Sequence, residues 1–138
     1  MGKAYEAVQR FYDHFAAGDL DAAMTVFDPA CTSKMPGATL DQAGHRAMGE
    51  SFRAALPDSR MVVDRAVENG DEIVVIGRFV GVQTGDMVSA SGTIPASGNP
   101  LNLVFMDYFR VVGDLIVEHH TVFDRMELLG QLGALPAE

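Results

Sequence analysis

The residues from Leu101 to Gly130 constrain the fold most, because they predict two strands, a tight turn and a short helix in direct succession. Apolar and polar residues alternate on both sides of Gly113-Asp114, a pair typical of a two-residue hairpin turn. Asp124 followed by Glu127 matches the capping box of a helix. This part of the chain is therefore predicted to be an antiparallel hairpin followed by a helix.

Apolar residues recur at helical spacing in three earlier segments, which are residues 3–17, 19–27 and 40–55. Gly18 is expected to end the first helix and Asp19 to cap the second. Thr39 and Gln42 form a capping-box pattern for the third. Between the second and third helices, residues 29–38 are predicted to be irregular.

The pattern changes to alternation at Arg60, which predicts strands on both sides of Asn69-Gly70, a strong hairpin signal. The return strand is apolar on both faces over residues 73–76, so a central position in the sheet is expected. Helices that precede an antiparallel sheet predict an α+β fold of two layers, in one domain over residues 1–138. A strongly bent sheet wrapped round three N-terminal helices would enclose a conical cavity suited to small apolar molecules.

The net charge of −9 argues against nucleic acid and against an anionic membrane surface as partners. No apolar run reaches the roughly 18 residues of a membrane span, and the N-terminus lacks the pattern of a signal peptide. Cys31 is the single cysteine, so no internal disulfide can form. A cytoplasmic location is the expectation.

Four stretches carry a resemblance to a known family: "VQRFYDHFAAGDLDAAMTVFDP" at 8–29, "MPG" at 35–37, "PASGNP" at 95–100 and "DYFRVVGDLIVEHHTVFDRMELLGQLG" at 107–133. With them the chain resembles the nuclear transport factor 2-like superfamily, and within it the SnoaL-like polyketide cyclases. The resemblance implies a cone-shaped fold and chemistry without metal or cofactor. It also implies a polyketide-like carbonyl substrate, proton abstraction next to its carbonyl, and homodimers formed through the outer face of the sheet.

The resemblance breaks at the expected catalytic base. Relatives carry an aspartate in a pattern similar to Glu-His-Trp-Asp, whereas this chain has Thr121 at that position, after Glu118-His119-His120. The related limonene epoxide hydrolases carry an Arg and, two residues later, an Asp. This second pattern is also incomplete here, because Val80 stands two residues after Arg78. Two hypotheses stay open. The protein is a cofactor-free lyase or isomerase, or it is a small-molecule-binding or dimerisation module without catalysis.

The direction of each side chain in the hairpin depends on its register. A simple two-residue turn would place Asp107 opposite His120, with both on the outer face of the sheet. The inner face would then carry Met106, Tyr108, Arg110, His119 and Thr121. A β-bulge would reverse this, with Asp107 inside and Met106, Tyr108 and Arg110 outside.

His119 is the leading candidate for acid/base catalysis, Tyr108 for polarising a carbonyl, and Asp107 for a reserve base. His45 is expected at the mouth of the cavity, and a local salt bridge is favoured for Arg110. No metal site is expected, because adjacent side chains on a strand diverge and no third ligand has suitable spacing. The residues expected to bind substrate are Thr121, Met106, Arg110, Met35, Phe15 and Phe52.

Overall fold

A computed structural model describes residues 2–89 and 92–135. The helices in this part of the chain are α1 (Lys3–Ala16), α2 (Leu20–Thr25), α3 (Gln42–Ala55) and α4 (Arg125–Gln131). The strands are β1 (Ser33–Met35), β2 (Ala38–Leu40), β3 (Arg60–Asn69), β4 (Glu72–Val82), β5 (Met87–Ser89), β6 (Gly92–Ile94), β7 (Pro100–Val112) and β8 (Leu115–Phe123). The predicted α+β architecture is confirmed, and three of the helices precede the main sheet strands. No helix of the described residues is long and apolar enough to cross a membrane.

Six strands form one curved sheet in the order β2-β1-β8-β7-β4-β3. Its neighbouring strands are antiparallel except for β1 and β8, which run parallel. Strands β5 and β6 pair only with each other. The central strand β4 pairs over its whole length with β7, and the two strands form the middle of the sheet.

The helix α1 lies against the inner face of the sheet because its apolar residues share one side, as their spacing predicts. Val8 and Phe11 are buried there together with Ile73 and Phe109 of the sheet. Gly18 has φ +76°, the left-handed conformation that a helix-ending glycine adopts most easily. Because the apolar side of α1 faces the sheet, Phe11 and Tyr12 are both buried in the core.

Two local predictions are wrong between the second and third helices. Residues 33–35 and 38–40 form a hairpin through Pro36-Gly37, where Gly37 has φ +81°, so the segment is not irregular. Thr39 lies in β2 and does not cap α3. Asp41 caps it instead, accepting a hydrogen bond of 2.8 Å from the Gly44 N–H.

A β-bulge in the β7–β8 hairpin turns the β7 side chains to the face opposite the one that a simple register predicts, whereas His119 and Thr121 of β8 remain on the inner face. Val112 pairs with Leu115 as expected, but the register shifts between Arg110 and Val111, so that Asp107 lies opposite Thr121. The bulge coincides with hydrogen bonds to segments outside the hairpin. Val111 donates to the Asp71 carbonyl at 2.8 Å and Ile116 to the Val26 carbonyl at 2.9 Å.

Candidate active site

A cavity of about 110 Å³ lies between the helices and the inner face of the sheet. Its wall is mainly phenylalanine and methionine side chains, which suits an apolar molecule. Polar groups enter it from α3 and from the β7–β8 hairpin. The lining residues are Phe11, Phe15, Leu20, Met24, Met35, His45, Met48, Gly49, Phe52, Met61, Phe79, Leu103, Phe105, Asp107, His119, Thr121 and Phe123.

Asp107 is the carboxylate of the cavity and is only 5% exposed. Its Oδ2 accepts a hydrogen bond of 2.5 Å from the Tyr12 hydroxyl. Burial alone would raise the pKa of Asp107, but hydrogen bonds from His119, Thr121 and Tyr12 outweigh it and hold that pKa below its usual value. Burial and the adjacent carboxylate raise the pKa of Tyr12 well above its usual value, so the phenol remains a donor. Asp107 is therefore an ionised carboxylate at neutral pH.

His119 lies between Asp107 and Ser33 and contacts both. Its Nε2 lies 3.4 Å from Asp107 Oδ1, which is a long contact, and its Nδ1 lies 2.8 Å from Ser33 Oγ. The imidazole stacks on the Phe109 ring with centroids 4.6 Å apart and an angle of 3° between the planes. Contacts on both nitrogens and on one face of the ring fix its orientation.

Ser33 and His45 extend this set of polar groups to helix α3. Ser33 Oγ lies 3.2 Å from His45 Nδ1, and both residues are buried. Burial first, and then the neighbouring His119, lower the pKa of His45 to about 4, although the Asp107 carboxylate opposes this shift. His45 is therefore a neutral imidazole at physiological pH.

The structure brings most of the predicted inner residues to the cavity. His119, Thr121, Met35, Phe15 and Phe52 line it. Asp107 also lines it, as the bulge alternative requires, and the simple register that turned it outward is wrong. His45, which was expected at the mouth of the cavity, lies buried in its wall and holds Ser33.

The inner placement of Met106, Tyr108 and Arg110 is wrong, because the bulge turns all three to the outer face. Met106 is 46% exposed there. The Tyr108 hydroxyl donates to Glu72 at 2.7 Å, and Arg110 forms a salt bridge to Glu118 at 2.9 Å. None of them can contact a molecule in the cavity from this face.

Two residues of the site were not predicted from the sequence. Tyr12 lies within the first predicted helix, where no role in the site was expected for it, and Ser33 fell in the segment expected to be irregular. The Pro36-Gly37 turn signal between two short segments is the feature that could have indicated a hairpin there. Nothing local in the sequence pairs Tyr12 with a residue 95 positions away.

The arrangement combines one carboxylate, one oriented imidazole and several neutral donors in an apolar enclosure. Such a set can remove a proton from a bound molecule and return it elsewhere. Across residues 2–89 and 92–135, no three histidine, cysteine, aspartate or glutamate side chains converge in a way that could hold a metal ion.

Comparison with known proteins agrees with this architecture. The profile of a family described as SnoaL-like domain matches residues 8–119. Among curated proteins, none matches the sequence significantly.

The solved structures that share the fold include the following three. A SnoaL-like protein of Jannaschia sp. CCS1, suggested to be a polyketide cyclase, is 20% identical, with a TM-score of 0.82 over 97% of this chain and 94% of that one. AclR of Streptomyces galilaeus, suggested to be a hydroxylase, is 18% identical, with a TM-score of 0.82 over 97% and 87%. TsrD of Streptomyces laurentii is 25% identical, with a TM-score of 0.80 over 96% of each chain.

Proposed function

Because the chain belongs to the SnoaL-like domain family, we propose that it is a cofactor-free acid/base enzyme acting on a small, largely apolar carbonyl compound. The reaction is of the isomerase, lyase or cyclase type and begins with removal of a proton next to a carbonyl. Asp107 is the base, and His119 positions it through the contact between Nε2 and Oδ1. The observation that supports this most is the position of Asp107, directly opposite Thr121 on the neighbouring strand.

Cross-strand neighbours have Cβ atoms about 4.5–5.5 Å apart, so a carboxylate at 107 serves nearly the same space as one at 121. Thr121 then lies beside the carboxylate, where its hydroxyl helps to lower the pKa of Asp107, and it need not act as a base itself. The departure from the family pattern at position 121 is therefore compatible with catalysis.

The hydrogen bonds to Asp107 also indicate the type of substrate. A carboxylate whose pKa lies below its usual value is a weak base. It suits a carbon whose proton is already acidic, such as one between two carbonyls or between a carbonyl and a double bond. The long contact to His119 leaves Oδ1 as the oxygen open to such a proton, since Oδ2 is held by Tyr12 at 2.5 Å.

The cavity limits the size of the substrate. An apolar cavity of about 150 Å³ holds a benzene molecule, and the space here is about 110 Å³. Methionines at positions 24, 35, 48 and 61 form much of the wall and can adjust their rotamers. A single-ring compound is thus the expected size, and a molecule of several fused rings would require the wall to open.

We expect the protein to catalyse the isomerisation of 3-cyclohexen-1-one, a single-ring ketone with an activated methylene group, to the conjugated ketone. The rise of ultraviolet absorbance of the conjugated product measures the rate, and buffer alone gives the background. Saturable acceleration supports the enzyme. Binding of this ketone without acceleration, measured by calorimetry, would instead support the non-catalytic binding module.

We also propose that the outer face of the sheet pairs with a second copy of the chain. Val74, Val104, Met106 and Val122 are between 38% and 57% exposed there, on the three adjacent strands β4, β7 and β8. Contiguous apolar patches of this kind mark interaction surfaces. The salt bridge between Arg110 and Glu118 also lies on this face and can form part of a polar border.

Met106→Glu should convert this dimer to a monomer, because two buried carboxylates would face each other without partners. Light scattering coupled to gel filtration measures the mass. Val88→Glu is the matched control, since Val88 is 60% exposed on the separate β5–β6 hairpin and its change should leave the dimer intact. A wild-type protein that is monomeric at high micromolar concentration would contradict the proposal.

A further inference from the structure

The Ser33 hydroxyl lies between two imidazoles that reach it from different elements. Ser33 Oγ is 2.8 Å from Nδ1 of His119 on β8 and 3.2 Å from Nδ1 of His45 on α3. The three residues are 2%, 5% and 7% exposed, and the two ring centroids are 5.3 Å apart. Water therefore has little room to replace the hydroxyl as a partner for either ring.

A serine hydroxyl has one hydrogen, so it can donate to one of these nitrogens and must accept from the other. Both contacts are hydrogen bonds only when one Nδ1 carries a hydrogen and the other does not. The two Nδ1 atoms are thus linked: a hydrogen on His119 Nδ1 requires its absence from His45 Nδ1, and the reverse.

The link extends into the cavity through the second nitrogen of His45. This residue lines the cavity, and among the described residues its Nε2 has no hydrogen-bond partner. Because His45 remains neutral, it carries one hydrogen, on either Nδ1 or Nε2. When Ser33 donates to Nδ1, the hydrogen is on Nε2, and His45 becomes a donor toward a bound molecule.

We infer that Ser33 couples the two histidines, so that the protonation state of His119 Nδ1 sets whether His45 Nε2 is a donor or an acceptor toward a ligand. With a hydrogen on His119 Nδ1, the bonds run from His119 to Ser33 to His45, and His45 Nε2–H faces the ligand. With His119 Nδ1 bare, every bond in the series reverses, and His45 Nε2 is a bare acceptor.

This coupling gives the proposed reaction a path for the second proton, and in that role it rests on the proposed function. Asp107 takes the α-proton of the ketone, and the C–H electron pair forms the enol double bond. The carbonyl oxygen takes the hydrogen of His45 Nε2, His45 Nδ1 takes that of Ser33, and Ser33 takes that of His119 Nδ1. When His119 begins with hydrogens on both ring nitrogens, the step leaves Asp107 as a carboxylic acid and His119 as a neutral imidazole, so charge and protons balance.

The test is nitrogen NMR of ¹⁵N-histidine-labelled protein without any substrate, because the shifts of the two ring nitrogens distinguish the tautomers. His119 and His45 are followed while pH is varied; the other titratable groups that face them are Asp107 and, through it, Tyr12. In the wild type we expect the His45 tautomer to change with the same midpoint as His119. In Ser33→Ala we expect that change to disappear, and in Ser33→Thr, which keeps the hydroxyl, to remain.

An unchanged His45 tautomer across the His119 transition in the wild type would overturn the inference, and this measurement needs no variant to fold. Persistence of the coupled change in Ser33→Ala would also overturn it. Since no substrate is involved, failure here is distinguishable from failure of the proposed function, which is judged by turnover of 3-cyclohexen-1-one.

Discussion

Asp107→Asn should lower the rate of ketone isomerisation by about 10²–10⁴-fold, the usual contribution of a positioned general base. The amide keeps the shape of the carboxylate and can still accept from Tyr12, so the fold and the ligand pocket should persist. What it loses is the ability to take a proton. The reduction is therefore expected in kcat, with KM for 3-cyclohexen-1-one nearly unchanged.

Asp114→Asn is the matched control, because it makes the same chemical change at an exposed turn of the same hairpin. It should leave kcat and KM at their wild-type values. Near-ultraviolet circular dichroism checks that both variants keep their aromatic packing. An Asp107→Asn protein that is folded and retains the wild-type kcat would show that Asp107 is not the base.

The second large effect concerns stability in mild acid, where His45 should destabilise the folded state. The pKa of this imidazole is 6.5 in the unfolded chain and about 4 in the folded protein. Between these values the unfolded state binds more protons, so stability falls as pH is lowered. The gap corresponds to about 3 kcal/mol, most of which should be lost between pH 6.5 and pH 4.5.

Urea unfolding of the wild type and of His45→Gln at pH 7 and pH 4.5 measures this effect. Glutamine can still bond to Ser33 but does not titrate, so the variant should lose much less free energy of unfolding over the same interval. The range stays above the ordinary pKa of aspartate, near about 3.9, so Asp107 contributes little to the difference. Equal acid sensitivity of the two proteins would contradict a neutral buried His45.

The helices and the two hairpins follow from local patterns in the sequence, which is why the fold class could be predicted. Helical spacing indicates α1, and Asn69-Gly70 indicates the turn between β3 and β4. Asp124 was interpreted as a cap, and it does accept hydrogen bonds from the N–H groups of Met126 and Glu127. Each of these features depends on residues close together in the chain.

The register of the β7–β8 hairpin could not be predicted from its turn, because the bulge coincides with contacts to Asp71 and Val26, far away in sequence. The order of apolar residues in β7 nevertheless indicates which of its side chains face the core. Its larger apolar side chains occupy alternate positions on the same face as Asp107, and burial of that row outweighs the simple turn geometry. This row, all of it buried, is Leu101, Leu103, Phe105, Phe109 and Val111.

The remaining polar groups of the site come from long-range packing. Ser33 reaches His119 because β1 adds to the sheet parallel to β8, and Tyr12 reaches Asp107 because α1 crosses the inner face. The contacts join residues 86 and 95 positions apart, and no local pattern specifies them. Sequence reasoning could find His119 and Asp107 but not the groups that hold them.

The central claim is that a carboxylate on β7 does the chemistry that the family pattern places at position 121. The most direct measurement is the isomerisation rate of the double variant Asp107→Asn/Thr121→Asp beside that of Asp107→Asn alone. The two positions face each other across the strands. We therefore predict that the double variant is at least about tenfold faster than Asp107→Asn, which is part of what a general base contributes. A folded double variant that is no faster than Asp107→Asn would contradict the claim.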